Sequence, residues 1–168
     1  MSSVDVTKLN ILIVEDNVHF RTLVRSILEA LGVLNLDEVR DGIEAMEFLM
    51  GQSPDLVIVD WKMEGMDGVE FVKKTRTIEG PNRFVPIIMV TGYTETKLRD
   101  LAREAGINDF LGKPISAGSL LAHIVALMEK PKPFYETAEY FGPDRRRSDD
   151  EFTASEKRVQ QMMPVRKP

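Results

Sequence analysis

Five side chains in this sequence are of the types that together handle a phosphoryl group: the acidic pair Glu15-Asp16, then Asp60, Thr91 and Lys113. Each stands where a short apolar run ends. Leu9-Asn10-Ile11-Leu12-Ile13-Val14 leads into Glu15, Leu56-Val57-Ile58-Val59 into Asp60, Val85-Pro86-Ile87-Ile88-Met89-Val90 into Thr91, and Asp109-Phe110-Leu111-Gly112 into Lys113. Three carboxylates brought together repel, and some hold a proton unless a cation intervenes. Oxygen ligands without Cys or His suit Mg²⁺, with Mn²⁺ as the alternative, rather than zinc. An Asp carboxylate is also a nucleophile that can carry a phosphoryl group as an aspartyl-phosphate. A hydroxyl and an ammonium both donate to phosphoryl oxygens, which leaves the protein the tasks of positioning and charge neutralisation. Taken singly, Asp60 reads as a turn or cap residue and Lys113 as a solvated lysine. The chemical reading rests on all five falling at strand ends.

Those ends meet only if the strands run parallel. A continuous apolar run is the pattern of a strand buried on both faces, and the runs ending at Val14, Val59 and Val90 have it. Leu36-Asp37-Glu38-Val39 is a shorter strand. Between the strands, residues recur at helical spacing: Phe20, Leu23, Val24, Ile27, Leu28 and Leu31; Ile43, Ala45, Met46, Leu49 and Met50; Val69, Val72 and Thr75 or Arg76; Leu98, Leu101, Ala102 and Ala105; Ile115, Leu120, Leu121, Ile124, Val125 and Met128. Asn17 is placed to cap the first helix, and Gly32 and Gly106 close the first and fourth. Five alternations of strand and helix predict an α/β fold, a doubly wound five-stranded parallel sheet with helices on both faces and right-handed crossovers. In such a sheet every strand's carboxyl end lies on one edge, where ligands bind.

The chain has 168 residues, 43% of them hydrophobic, enough for one domain with a core and a tail. It contains no cysteine, which excludes disulfides and thiolate metal sites and fits a reducing compartment, so a cytoplasmic location is expected. No secretory leader and no long apolar run are visible, so neither secretion nor membrane spanning is expected. A net charge of -5 argues against general nucleic-acid binding. From Glu129 onward the chain holds 9 of its 22 Lys+Arg and 8 of its 27 Asp+Glu, so the acidity belongs to residues 1–128.

Residues 9–129 resemble the receiver domain of bacterial two-component response regulators, of the CheY type. The matching residues are Glu15-Asp16, Asp60 followed by Trp61-Lys62-Met63 and Met66-Asp67-Gly68, Thr91, and Lys113-Pro114. The resemblance implies the strand order 2-1-3-4-5 and a role for each position. Asp60 is the phosphoacceptor, receiving its phosphoryl group from a phosphohistidine on a sensor histidine kinase or a histidine phosphotransfer protein. Asp16 and Asp60 bind Mg²⁺ directly, Glu15 acts through water, and Lys62 lends its backbone carbonyl. Thr91 and Lys113 hold phosphoryl oxygens, and the bond before Pro114 is cis. Thr91 and Phe110 are the switch pair, Phe110 standing where a Tyr is common; a plain core role for Phe110 competes with this. Lys62 and Tyr93 match variable positions that tune the phosphate's lifetime. Glu64 departs from the family's frequent proline in its loop.

The segment after the fifth helix is too short and too polar for an effector domain, so a stand-alone response regulator is expected. The resemblance implies a signalling switch rather than an enzyme, whose surface of helix 4, strand 5 and helix 5 is read by a downstream protein target. DNA binding and membrane binding are not expected, and the chain is expected as a monomer or a phosphorylation-dependent dimer. Two other roles stay open: a phosphorelay intermediate passing phosphate to a histidine phosphotransfer protein, and a phosphorylation-independent docking domain. A phosphatase of the haloacid dehalogenase type would need a second Asp two residues after the first, where this chain has Lys62. Residues 1–8 read as an N-terminal extension. Residues 130–168 read as a tail too polar for a core of its own, either disordered or docking through Phe134, Tyr135, Tyr140, Phe141 and Phe152 on the switch face or on a target. The run Arg145-Arg146-Arg147, beside Asp144, Asp149 and Asp150, reads as a solvated charge cluster.

Overall fold

Strands that are apolar on both faces must be covered on both faces, and the helices between them do the covering. The computed structural model describes residues 4–92, 96–145 and 157–158. Strands β1 (Asn10–Val14), β2 (Asn35–Val39), β3 (Leu56–Asp60), β4 (Ile87–Thr91) and β5 (Asp109–Gly112) form one parallel sheet in the order β2-β1-β3-β4-β5, the order that the resemblance implies. Helices α1 (Val18–Ala30), α2 (Gly42–Gly51), α3 (Gly68–Thr75), α4 (Thr96–Ala105) and α5 (Ala117–Glu129) alternate with the strands.

The strand alternation sorts the core into two halves. Leu12, Val14, Val57, Val59, Ile87 and Met89 point to the side of α2, α3 and α4, where Ala45, Leu49, Phe71, Val72 and Ala102 meet them. Ile11, Ile13, Leu56, Ile58, Ile88 and Val90 point to the side of α1 and α5, against Val24, Leu28, Leu120 and Ile124. Side-chain caps start the helices. Asn17 accepts from the Phe20 amide, Asp41 from Glu44, and Asp67 from Glu70, while Ser116 and Ser119 form a reciprocal capping box. β4 begins at Ile87, two residues later than the apolar run. Pro86 has no N–H for a ladder, and its carbonyl instead accepts from the Val57 amide at 2.9 Å.

The segment after α5 returns to the domain. β6 (Phe134–Glu136) and β7 (Phe141–Pro143) pair antiparallel, and β8 (Lys157–Arg158) pairs with the other edge of β6. The Thr137 amide donates to the Tyr140 carbonyl at 2.8 Å to close the turn, and the Tyr140 hydroxyl donates to the Pro143 carbonyl at 2.7 Å. Burial pushes that phenol's pKa up to about 12. A two-stranded hairpin is marginal on its own; this one is seated on the loop before β4. Phe84, Phe134 and Phe141 form a three-ring cluster, with centroids 5.2 Å apart for Phe84–Phe134 and 5.4 Å for Phe84–Phe141, both edge-on. The Arg83 guanidinium lies 3.6 Å from the centre of the Phe141 ring, and that of Arg145 lies 4.2 Å from the centre of Tyr140.

Beneath the hairpin is a buried charge. Arg76, just past α3, is only 2% exposed. Its guanidinium donates to the carbonyls of Gly106, Arg83 and Val85 and to Asn108 Oδ1, at 2.8 to 2.9 Å, and its outer face lies 5.0 Å from the centre of Phe134. With its charge met by neutral oxygens rather than a carboxylate, burial pulls its pKa down. Gly106, at φ +104°, takes a conformation that favours glycine, and a side chain there would press on the Arg76 stem. Val85 lies two residues before β4, and Asn108 immediately precedes β5. The hairpin is therefore docked at the amino ends of the strands, the edge opposite Asp60 and Thr91. Phe152, Arg146 and Arg147 lie outside the described residues.

Candidate functional site

The carboxyl ends of β1, β3, β4 and β5 enclose a cleft of about 490 Å³ lined by Glu15, Asp16, Asn17, Phe20, Asp60, Trp61, Lys62, Thr91, Gly92 and Lys113. All five chemistry-bearing residues of the sequence reading therefore share one cavity. β3 ends on Asp60, whose position is fixed by the register Asp60↔Val90. The Trp61 amide donates to the Val90 carbonyl, and the Trp61 carbonyl accepts from the Gly68 amide at 2.8 Å, so the chain turns tightly over the site. Gly68 permits that turn by bulk alone: a Cβ there would run into the Asp60 carbonyl oxygen. On the other side of β4, Thr91 faces Gly112 in register, and the Lys113 amide donates to the Thr91 carbonyl at 2.9 Å. The Lys113–Pro114 peptide bond is cis.

Glu15 and Asp60 are buried, at 3% and 7% exposure, and Asp16 is exposed at the rim. One carboxylate oxygen from each of the three lies within 4.8 Å of the others. Glu15 Oε1 accepts from the Asn17 amide, and Asp16 Oδ2 from the Glu64 amide. Arg21 donates to the Glu15 carbonyl at 2.7 Å, tying the acidic loop to α1. Lys113 brings the cation: its Nζ is 3.0 Å from Asp60 Oδ1 and 3.9 Å from Glu15 Oε2. Burial, reinforced by the Asp60 charge, raises the Glu15 pKa to about 7. Burial also raises that of Asp60, with Lys113 opposing the rise.

This donor set fits a hard divalent cation. It is all oxygen, it converges on one point, and its excess negative charge is what such an ion relieves. Thr91 is buried at 4% exposure beside Asp60. Phe110 lies on β5 opposite Met89 in register, half-buried against the α2–α3–α4 side of the core, with the Arg99 guanidinium 6.0 Å from its ring centre. Lys62 lines the cleft with its side chain exposed. Tyr93 lies outside the described residues. Sequence reasoning assigned Phe20 to the buried stripe of the first helix, whereas its ring also forms a wall of the cleft. The available signal was its distance from the acidic pair, one helical turn after Asp16.

Residues 11–125 match the family model of the response regulator receiver domain. The chain is 32% identical over 122 residues to chemotaxis protein CheY-3 of Vibrio cholerae serotype O1, a match covering 73% of this chain and 93% of that protein. It is 35% identical over 122 residues to the cyclic di-GMP phosphodiesterase response regulator RpfG of Xanthomonas campestris pv. campestris, where the match covers 72% of this chain but only 32% of RpfG. Among solved structures, the receiver domain of sensor histidine kinase PA1611 from Pseudomonas aeruginosa PAO1 superposes with a TM-score of 0.63 at 32% identity, over 70% of this chain and 94% of that one. That structure has a magnesium ion coordinated in its active-site cleft. A five-stranded parallel sheet in this order, with an acid cluster and a lysine at its carboxyl edge and a family match over most of its length, makes this chain a member of the response regulator receiver domain family.

Proposed function

We propose that this chain is a phosphorylation-controlled protein-binding module in which Asp60 accepts a phosphoryl group from a phosphohistidine on a sensor histidine kinase or a histidine phosphotransfer protein. The observation that carries the reading is the buried Asp60 carboxylate with Lys113 Nζ 3.0 Å away and the Glu15 and Asp16 carboxylates beside it. An Asp60 oxygen attacks phosphorus, the phosphorus–nitrogen bond breaks, and the imidazole leaves as the electron pair returns to nitrogen. Asp16, Asp60 and the Lys62 backbone carbonyl are the groups to hold Mg²⁺, with Glu15 acting through water. When bound, the ion neutralises the crowded oxygens of the carboxylates and the phosphoryl group. Lys113 and the Thr91 hydroxyl donate to the phosphoryl oxygens. Lys113 is already aimed at Asp60, so little reorganisation is needed.

The added charge, about -1.5 to -2 at neutral pH, draws Thr91 inward. Phe110 fills the space it leaves, and the surface of α4, β5 and α5 changes between two states that a protein target distinguishes. The chain is in this reading a cytoplasmic signalling switch, not an enzyme acting on an outside substrate. The test is phosphoryl uptake from acetyl phosphate with and without Mg²⁺, read by intact mass, with Asp60→Ala alongside. One Mg²⁺-dependent, base-labile phosphoryl group, absent in Asp60→Ala, is the expected result. No adduct, from small donors or from a panel of kinases, would leave a docking domain that works without phosphate.

A second reading is a relay that passes the phosphoryl group on to a histidine. The likeness to the receiver of a sensor histidine kinase favours keeping it. Mixing the phosphorylated chain with a histidine phosphotransfer protein decides between them: the relay loses its phosphate to the histidine in step with the other protein's gain, and the terminal switch does not.

A further inference from the structure

The Phe20 ring stands against the reactive end of Lys113. The Asn17 side chain accepts from the Phe20 amide at 3.0 Å, which fixes Phe20 in the first turn of α1. Its half-buried ring packs on the core between α1 and α5 and also lines the cleft. Lys113 Nζ lies 4.0 Å from the ring centroid while holding its 3.0 Å contact with Asp60 Oδ1. The ammonium is therefore gripped between a carboxylate on one side and an aromatic face on the other.

The two contacts differ in kind. A carboxylate takes up N–H donors, whereas the negative face of an aromatic ring attracts the cation without accepting a directed hydrogen bond. The ring thus holds the ammonium in the cleft and leaves its N–H groups for oxygens. It also favours the position near Asp60 over a closer pairing with Glu15, whose nearer oxygen is 3.9 Å away. A lysine stem has four carbons and many rotamers, and the face of Phe20 narrows them to those that keep Nζ over Asp60.

We propose that Phe20 is a positioning residue for Lys113, holding its ammonium at the place where phosphoryl oxygens arrive. The proposal rests on the reading of Asp60 as phosphoacceptor, and the experiment separates the two. The full chain, Phe20→Leu, Phe20→Tyr, Lys113→Ala and the double variant Phe20→Leu/Lys113→Ala are phosphorylated with acetyl phosphate and Mg²⁺. Uptake is followed by the fluorescence of Trp61, the single tryptophan, and checked by mass. Leucine keeps the apolar packing and removes the aromatic face; tyrosine keeps both.

Phe20→Leu is expected to slow uptake about three- to fivefold, the effect of a partly exposed cation–aromatic contact. Its Mg²⁺ affinity should stay unchanged, Phe20→Tyr should restore most of the rate, and the leucine change should add nothing once Lys113 is gone. Proton NMR gives a readout independent of turnover: the ε-methylene signals of Lys113 are shifted upfield by the ring in the parent and in Phe20→Tyr, and return to ordinary positions in Phe20→Leu. Equal slowing by Phe20→Leu with and without Lys113, failure of tyrosine to restore the rate, or unshifted lysine signals in the parent would each overturn the positioning role and leave a packing residue. Undiminished phosphoryl uptake in Asp60→Ala would instead overturn the reading beneath it.

Discussion

The Lys113 ammonium lies 3.0 Å from the Asp60 carboxylate in a cleft where Asp60 is buried and Lys113 half-buried. One positive charge serves two buried acids, since Glu15 Oε2 is 3.9 Å away. Removing one preorganised donor from a charge-stabilising site typically costs about a hundredfold or more in rate. Lys113→Ala is expected to slow phosphoryl uptake from acetyl phosphate by about that factor. Its Mg²⁺ affinity, read by Trp61 fluorescence, should not fall, because the variant also removes a cation that repels the ion. Uptake at the parent rate would remove Lys113 from the mechanism.

The raised pKa of Glu15 makes stability depend on pH. Its ordinary value is 4.5 and its folded value about 7. Between those values the folded protein holds a proton that the unfolded chain releases, so stability falls as pH rises from about 4.5 through about 7. Asp60 is raised in the same direction, and the two face each other with Lys113 between them and Asp16 at the rim. Thermal midpoints measured in EDTA from pH 5 to 8 should decline, and Glu15→Gln should flatten the decline. Mg²⁺ competes with the proton, so its affinity should rise over the same interval. A profile in EDTA that rises with pH would contradict the assignment.

Gly68 tests the turn over Asp60. A Cβ at this position meets backbone, the Asp60 carbonyl oxygen and the Trp61 Cα, and neither can rotate away. Gly68→Ala should destabilise the fold by about 1–3 kcal/mol, as overpacking does, in a urea titration. It should also slow phosphoryl uptake in the fraction that folds, since the strand end carrying Asp60 must shift.

The hairpin seat makes the opposite prediction for chemistry. Phe134 is 2% exposed and covers the Arg76 guanidinium. Phe134→Ala should cost about 3 kcal/mol of stability, and Arg76→Ala a similar amount by stranding buried carbonyls. Below the unfolding transition both variants should take up phosphate on Asp60 at the parent rate, because their contacts lie at the other edge of the sheet. A parent-like urea midpoint for Phe134→Ala would show that the hairpin contributes little to the fold.

The strands and the acid cluster were legible because they depend on short runs. Leu56-Val57-Ile58-Val59-Asp60 carries its burial, direction and terminal carboxylate within five residues, and the structure has β3 over those same five. Arg76 was legible only as a position on the stripe of the third helix; its four acceptors come from residues 83, 85, 106 and 108, which only the folded chain brings together. Residues 134–143 were legible as a docking segment from their aromatics, but not the place where they dock: the seat centred on Phe84 lies at the amino ends of the strands rather than on the switch face, and it is supplied by the domain. Phe20 was legible as an apolar residue of α1, but its contact with Lys113 joins α1 to the end of β5, which has β3 and β4 between it and β1, so only the folded cleft brings the two together.

The place of the hairpin also sets an order of assembly. Its seat is made from Arg76, Phe84 and Gly106, all of which leave the ribosome before Phe134 does. The receiver sheet can thus close while the hairpin is still being synthesised, with the Asp60 cleft formed before the last strands dock. A protease that clips between Glu129 and Phe134 would reverse only that final step, leaving a looser protein that still carries its Asp60 cleft.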